Sequence, residues 1–219
     1  MKPTFLILGV TLLFSYSSFS QTRPTLPAEQ QASEMLSRAS AKLKEFRTME
    51  VDFTFEMENS QFSLTETMTG KLFSKGDKYR MTMDENVFIS DGKTVWNFVA
   101  DTDEIHINNI ENVEGGLTPT ALLANFQTEF RSKFIRQETH NGRTVNIIDL
   151  IPNTSQSFFK YRIALDTNNM IVYTVAFDRH GGTNTFNINN VRTNHQISDD
   201  LFRFNRAEFP SDVEVIDLR

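Results

Sequence analysis

The stretch Ile89-Ser90-Asp91-Gly92-Lys93-Thr94-Val95-Trp96 contains Gly-Lys-Thr, the triplet that closes a nucleotide-binding P-loop. A working P-loop needs another glycine five residues before the Gly-Lys pair, so that successive backbone N–H groups can curl around phosphate. Val87 stands there, in an extended apolar run, and Val95 to Phe98 alternate like a strand instead of opening a helix. The triplet therefore reads as a hairpin turned at Asp91-Gly92, not as a phosphate site.

The other reactive residue types are equally unassembled. His106, His140, His180 and His195 are scattered, with no i, i+4 pair and no HExxH frame, so no metal site is legible. No Gly-x-Ser-x-Gly elbow is present. Asp52, Glu56 and Glu58 alternate with apolar residues, the pattern of a wet strand face. Asn153-Thr154-Ser155 matches a glycosylation sequon, a pattern frequent by chance. Cysteine is absent, which excludes disulfides, thiolate chemistry and a lipidated cysteine. No enzyme, cofactor or metal is expected on these grounds.

The 219 residues carry a formal charge of −6 and no basic run, which argues against nucleic acid. The first twenty residues pair Lys2 with an apolar run from Phe5 to Phe14 and end in Ser18-Phe19-Ser20. That is the pattern of a signal peptide cleaved near Ser20, too short in its apolar part to span a bilayer. Residues 21–219 are then expected to form one exported, soluble domain whose core manages without disulfides. The 20 Phe and 8 Met suit a generous apolar interior.

From about Ala28 to Phe46, Ala32, Met35, Leu36, Ala39, Leu43 and Phe46 recur at spacings of three and four, which predicts an amphipathic helix started at Pro27. Beyond it the period changes to two. Val51 to Glu58, Tyr79 to Met83, Thr94 to Val99, the Ile105 and Ile107 region, Val145 to Ile151, Tyr161 to Leu165 and Val172 to Phe177 all alternate. Asn59-Ser60, Gly76-Asp77, Asp91-Gly92, Asn141-Gly142, Asn168-Asn169 and Gly181-Gly182 punctuate them as turns. The expectation is a long antiparallel meander, interrupted between Gly115 and Phe130 by a short helix carrying Leu122, Leu123 and Phe126. So long a sheet curls, and its concave side becomes a filled core or a cavity.

The order of segments resembles a known family. After the helix come VDFTFEM, GKLFSKGDKYRMTM, ISDGKTVWNF, GLTPTALLANF and the closing FNINNVRTNHQISDDLFRFNRAEFPSDVEVID. Together these resemble the periplasmic outer-membrane lipoprotein carriers, the LolA-type proteins, over the whole mature chain, with Ser-Asp-Gly-Lys-Thr-x-Trp the most recognisable match. The resemblance implies a strongly curved, incomplete antiparallel β-barrel whose mouth is covered by short helices. It also implies acyl-chain carriage for lipoproteins or other lipids, loading from an inner-membrane ABC transporter and delivery to an outer-membrane receptor. A monomer is expected, with no cofactor.

On that reading the cavity-lining candidates are Phe53, Phe55, Tyr79, Met81, Met83, Trp96, Phe98, Leu122, Leu123 and Phe126. Plain core packing is the alternative for each, because alternation identifies only the apolar face. The family's lid-latching Arg corresponds to Lys75, and its Pro to Gly76. Lysine lacks the planar fork of donors, so a latch at Lys75 is expected to be weaker or absent. Two other functions stand beside transport: a lipid-sensing regulatory module on the same fold and a lipid-processing hydrolase. Regulatory relatives carry an extra C-terminal domain, whereas this chain stops at Arg219, which favours transport of lipoproteins or of a specialised lipid.

Overall fold

A computed structural model of the protein describes residues 26–59, 61–112 and 119–219; the segment expected to be a signal peptide lies outside them. Helix α1 (Ala28–Lys44) buries Ala32, Leu36 and Ala39 along one face. The Pro27 carbonyl accepts the first helical bond from the Gln31 N–H at 2.9 Å. Glu29 in the first turn and Lys42 and Lys44 in the last complement the helix dipole.

Twelve strands follow in one sheet: β1 (Thr48–Asn59), β2 (Leu64–Lys75), β3 (Lys78–Met83), β4 (Asn86–Ser90), β5 (Thr94–Val99) and β6 (Glu104–Asn109), then β7 (Phe130–His140), β8 (Arg143–Pro152), β9 (Phe158–Asp166), β10 (Ile171–Asp178), β11 (Gly182–Thr193) and β12 (Glu214–Asp217). Between β6 and β7 lie helices α2 (Pro119–Ala124) and α3 (Phe126–Glu129), so the expected single helix is two short ones.

The spatial order is β12-β6-β5-β4-β3-β2-β1-β11-β10-β9-β8-β7. This is two antiparallel meanders, β1 to β6 and β7 to β11, joined where β1 pairs with β11 from Met49↔Thr193 to Asn59↔Gly182. One pairing departs from the expected all-antiparallel order, for β12 runs parallel to β6. Strands β7 and β12 are the two ends of the sheet order, which makes the barrel incomplete, and the α2–α3 connection passes from one margin to the other. Asn141 (φ 48°) and Gly142 (φ 76°) both adopt the left-handed region that a two-residue hairpin requires.

Alternation revealed β1, β3, β5, β6, β8, β9 and β10 but not the full set. In β7 a register shift between Phe134 and Arg136 breaks the period, and a shift opposite Asp52/Phe53 does the same in β11. Strand β2 carries Glu66, Met68 and Gly70 on its inner side, too mixed a set to read as apolar.

The core divides by face. On the concave side, α1 and α2 pack over β7 to β10 through Ala32, Leu36, Leu122, Ile148, Leu150 and Ile163. Farther along that side Val51, Phe53, Phe55, Leu72, Met81 and Phe186 cluster. The outer face of β4 to β6 is apolar as well: Val87 pairs with Phe98, Ile89 with Trp96, Trp96 with Ile107 and Phe98 with Ile105. The C-terminal chain covers this face, stacking Phe204 on Trp96 (centroids 5.5 Å apart) and packing Phe209 on Phe98 (5.1 Å).

Candidate ligand cavity

Strand β1 supplies Phe53 and Phe55, two residues apart and therefore on one face. Phe186 of β11 lies between them, 5.4 Å from the Phe53 ring and 4.7 Å from the Phe55 ring. Gly70 of β2 pairs with Phe53, and the Phe53 ring lies across it: a Cβ at Gly70 would fall 2.2 Å from that ring and 2.7 Å from the Thr82 carbonyl oxygen. The missing side chain is what lets the aromatic ring lie flat inside the barrel.

Two small spaces remain around these rings. The upper one, toward Thr48, has about 40 Å³ free and is lined by Leu43, Met49, Val51, Phe53, Leu72, Met81, Met170, Ile171, Phe186, Ile188 and Val191, all apolar. The lower one, about 60 Å³, is lined by Phe55, Met81, Met83, Phe88, Leu122, Phe158, Ala176 and Phe186, with Tyr161, Thr174 and Asn184 as its polar members. Met81 and Phe186 belong to both and separate them. Each space alone holds roughly three to six water-sized spheres.

Larger recesses open at either end. Above, about 320 Å³ lies among Leu43, Lys44, Phe46, Arg47, Met49, Gly76, Asp77 and Leu123, sharing Leu43 and Met49 with the upper cavity. Below, about 520 Å³ is rimmed by Met57, Glu58, Leu64, Gln156, Phe158, Asp178, Arg179 and His180, sharing Phe158 and Asn184 with the lower cavity. The four spaces follow one another along the barrel, each parted from the next by side chains that line both. Unbranched Met81, Met83 and Met49 are the side chains best able to swing aside along it.

Of the residues singled out from the sequence, Phe53, Phe55, Met81, Met83 and Leu122 line the two inner cavities. Tyr79 packs beside them, and burial pushes its phenol above the usual value. Leu123 borders the upper mouth, and Phe126 is buried in the core beneath α1. Trp96 and Phe98 are a correction: they face outward, under the C-terminal chain. Strand β5 is apolar on its outer side, where Phe204 and Phe209 shield it, and alternation could not tell that side from the cavity side.

For Lys75 the expectation is a weak lid latch or none. Among the described residues its ammonium bonds the Ile197 carbonyl (3.4 Å) and Asp199 (3.1 Å), which tether the C-terminal chain. Lys75 first and Lys78 second hold the Asp199 carboxyl below its ordinary value. Missed entirely were Leu72, Phe88, Phe158, Met170, Phe186, Ile188 and Val191. The Phe186-Asn187-Ile188 alternation was a usable signal, obscured by the bulge after it.

The polar chemistry lies outside the cavity. Glu50, 5% exposed, accepts from Lys71 at 2.8 Å and from Arg192, and its second oxygen meets His195 Nε2 at 3.2 Å. Lys71 first and Arg192 second hold its carboxyl low. Among the described residues no group of three or more His, Asp or Glu is arranged to hold a metal, and no helix is long and apolar enough to cross a membrane.

The sequence profile of the family described as "Outer membrane lipoprotein carrier protein LolA" matches residues 44–205, well over half of the chain. An outer-membrane lipoprotein carrier protein of Haemophilus ducreyi is 26% identical over 183 residues, covering 81% of this chain and 82% of the relative. One of Legionella pneumophila (strain Lens) is 22% identical over 219 residues and covers 99% of each. Among solved structures, an uncharacterized conserved protein of Thermus thermophilus superposes with a TM-score of 0.56 at 12% identity, covering 84% of this chain and 98% of the other, a likeness of fold alone. With its curved sheet, covering helices and matched profile, the chain belongs to the outer membrane lipoprotein carrier protein LolA family.

Proposed function

We propose that this protein is a periplasmic carrier that buries the acyl chains of lipoproteins, or of another acylated lipid, between the concave sheet and helices α1 and α2. One observation carries this reading: two Met- and Phe-lined cavities lie in line inside the barrel, parted only by Met81 and Phe186, and the upper one presents no polar side chain. Each methylene taken from water is worth about 0.8 kcal/mol, so only a sizeable apolar interior competes with aggregation of the cargo.

The interior is nearly filled without cargo, and loading must therefore displace α2 or repack the methionines. That requirement lowers the net grip, as a carrier that must release its load needs. The protein performs no bond chemistry on this reading. Residues 1–20 act as the signal peptide, removed on export, and the domain works as a monomer between an inner-membrane ABC transporter and an outer-membrane receptor.

Extraction of the purified protein followed by mass spectrometry tests the reading. Acylated molecules should co-purify in about equimolar amount, and depletion in cells should leave outer-membrane lipoproteins misplaced. A protein that stays empty when offered acylated lipoprotein would end the proposal. Correct lipoprotein placement after depletion, with only an envelope stress response altered, would favour the regulatory alternative.

A further inference from the structure

The chain is acidic overall, yet its charge is unevenly spread. Pairing register places Arg131, Lys133, Arg136, Arg143, Lys160 and Arg162 on the outer face of β7 to β9, opposite Ile151, Asp149, Ile147, His140, Phe177 and Val175 respectively. The carboxylates facing them across these strands are Glu138, Asp149 and Asp166. Arg136 is paired with Glu138 and Arg162 with Asp149, whereas Arg131, Lys133 and Arg143 form no ion pair among the described residues. Asp166 is occupied by the Asn168 and Met170 backbone N–H groups of its own turn.

Charged side chains on β7 would by themselves be protection for a sheet edge. Arg143, Lys160 and Arg162, however, stand on β8 and β9, which are paired on both sides and need none. The wall also carries exposed apolar side chains, Ile135 (37% exposed) and Phe159 (40%). Lys160 holds its ammonium 3.9 Å over the Phe177 ring, a cation resting on an aromatic face at the surface.

This wall ends at the lower mouth. Phe158 lines both the lower cavity and the opening, and its chain neighbour Phe159 points outward beside Lys160. Across the opening, Leu64 at the start of β2 lines it and is 41% exposed, and Phe62 in the turn just before is 77% exposed. Cations beside exposed aromatics are the chemistry of a protein surface that sits at a lipid headgroup layer.

We propose that the outer face of β7 to β9, with the lower rim at Phe62, Leu64 and Phe159, seats on an anionic lipid surface, so that acyl chains cross at the lower mouth. The inference rests on the acyl-carrier reading. An acidic protein would satisfy the cations equally, but exposed Phe62, Leu64 and Phe159 beside an opening that leads toward an apolar interior match lipid better than a flat protein face, although Glu58 and Asp178 also line that opening. Each cation near such a surface contributes on the order of 1 kcal/mol, and the attraction is screened by salt.

Co-sedimentation of the purified protein with vesicles decides the matter. Binding to phosphatidylethanolamine–phosphatidylglycerol vesicles is expected, with little to phosphatidylcholine vesicles and release at high salt. Arg131→Gln with Lys133→Gln should weaken binding roughly thirtyfold, and Phe62→Ser with Phe159→Ser roughly tenfold or more. All four residues are exposed, and unchanged thermal unfolding checks that the variants fold. Uptake of a fluorescent fatty acid, which none of the four should alter, is measured in parallel. Uptake without vesicle binding overturns this proposal alone, and failure of both overturns the carrier reading as well. Equal binding to phosphatidylcholine, undiminished binding by the charge variant, or capture by an acidic protein in place of vesicles also overturns it.

Discussion

Gly70 shows how one side chain's absence shapes the interior. Gly70→Ala sets a methyl against both the Phe53 ring and the Thr82 carbonyl, and backbone cannot swing aside as a side-chain tip can. A loss of about 1–3 kcal/mol in urea unfolding is expected, with weaker acyl binding as Phe53 tilts into the upper cavity. Glu50 makes a pH prediction. Its folded pKa lies below the ordinary 4.5 because Lys71 and Arg192 bond the carboxylate. Its contribution is therefore fully present above the ordinary value and is lost as pH falls through the lowered one. Glu50→Gln should reduce stability at neutral pH and shrink the difference between neutral pH and about pH 3, read by chemical denaturation at each pH. The single Trp, Trp96, lies under the C-terminal chain and reports its detachment by fluorescence.

At the level of elements, and on the carrier reading, the two faces of the sheet are expected to separate stability from binding. Trp96 on β5 belongs to the outer layer, where Phe204 and Phe209 cover it and Arg206 fixes the covering turn through the carbonyls of Pro210 (2.6 Å) and Ser211 (3.1 Å). Trp96→Ala should cost about 3 kcal/mol in unfolding experiments, yet leave fatty-acid affinity unchanged. Leu122 on α2 is the contrasting case, since it lines the lower cavity. Leu122→Asp would bury a charge there and should weaken fatty-acid binding roughly tenfold or more. The helices and the regular strands were legible because each has one apolar face with a clear period. Strands β7 and β11 were not, because a bulge shifts the inward side by one residue and hides the pattern.

The whole molecule is a sheet whose two margins stay apart, with the interior closed by helices that the chain lays across it. A nearly filled interior means that cargo and packing compete for the same volume. At ligand concentrations about a hundred times Kd, binding stabilises the folded state by about 2.7 kcal/mol, which for a domain of this size raises Tm by about 5–10 °C. Calorimetry with and without a saturating fatty acid checks this. By itself the sequence determined the class of molecule: the periodicities require one amphipathic helix and a long antiparallel sheet, and the missing motifs leave no legible reaction. It also marked Phe53, Phe55, Met81, Met83 and Leu122 as members of apolar faces, since each follows the local period. Tertiary structure alone decided which apolar face is the interior. Alternation records that a side is dry and not what dries it, and only the return of the C-terminal chain over β4 to β6 assigns Trp96 and Phe98 to the outer layer. Lys75 likewise acquired its partners from residues 122 and 124 positions along the chain, a pairing that no local spacing encodes.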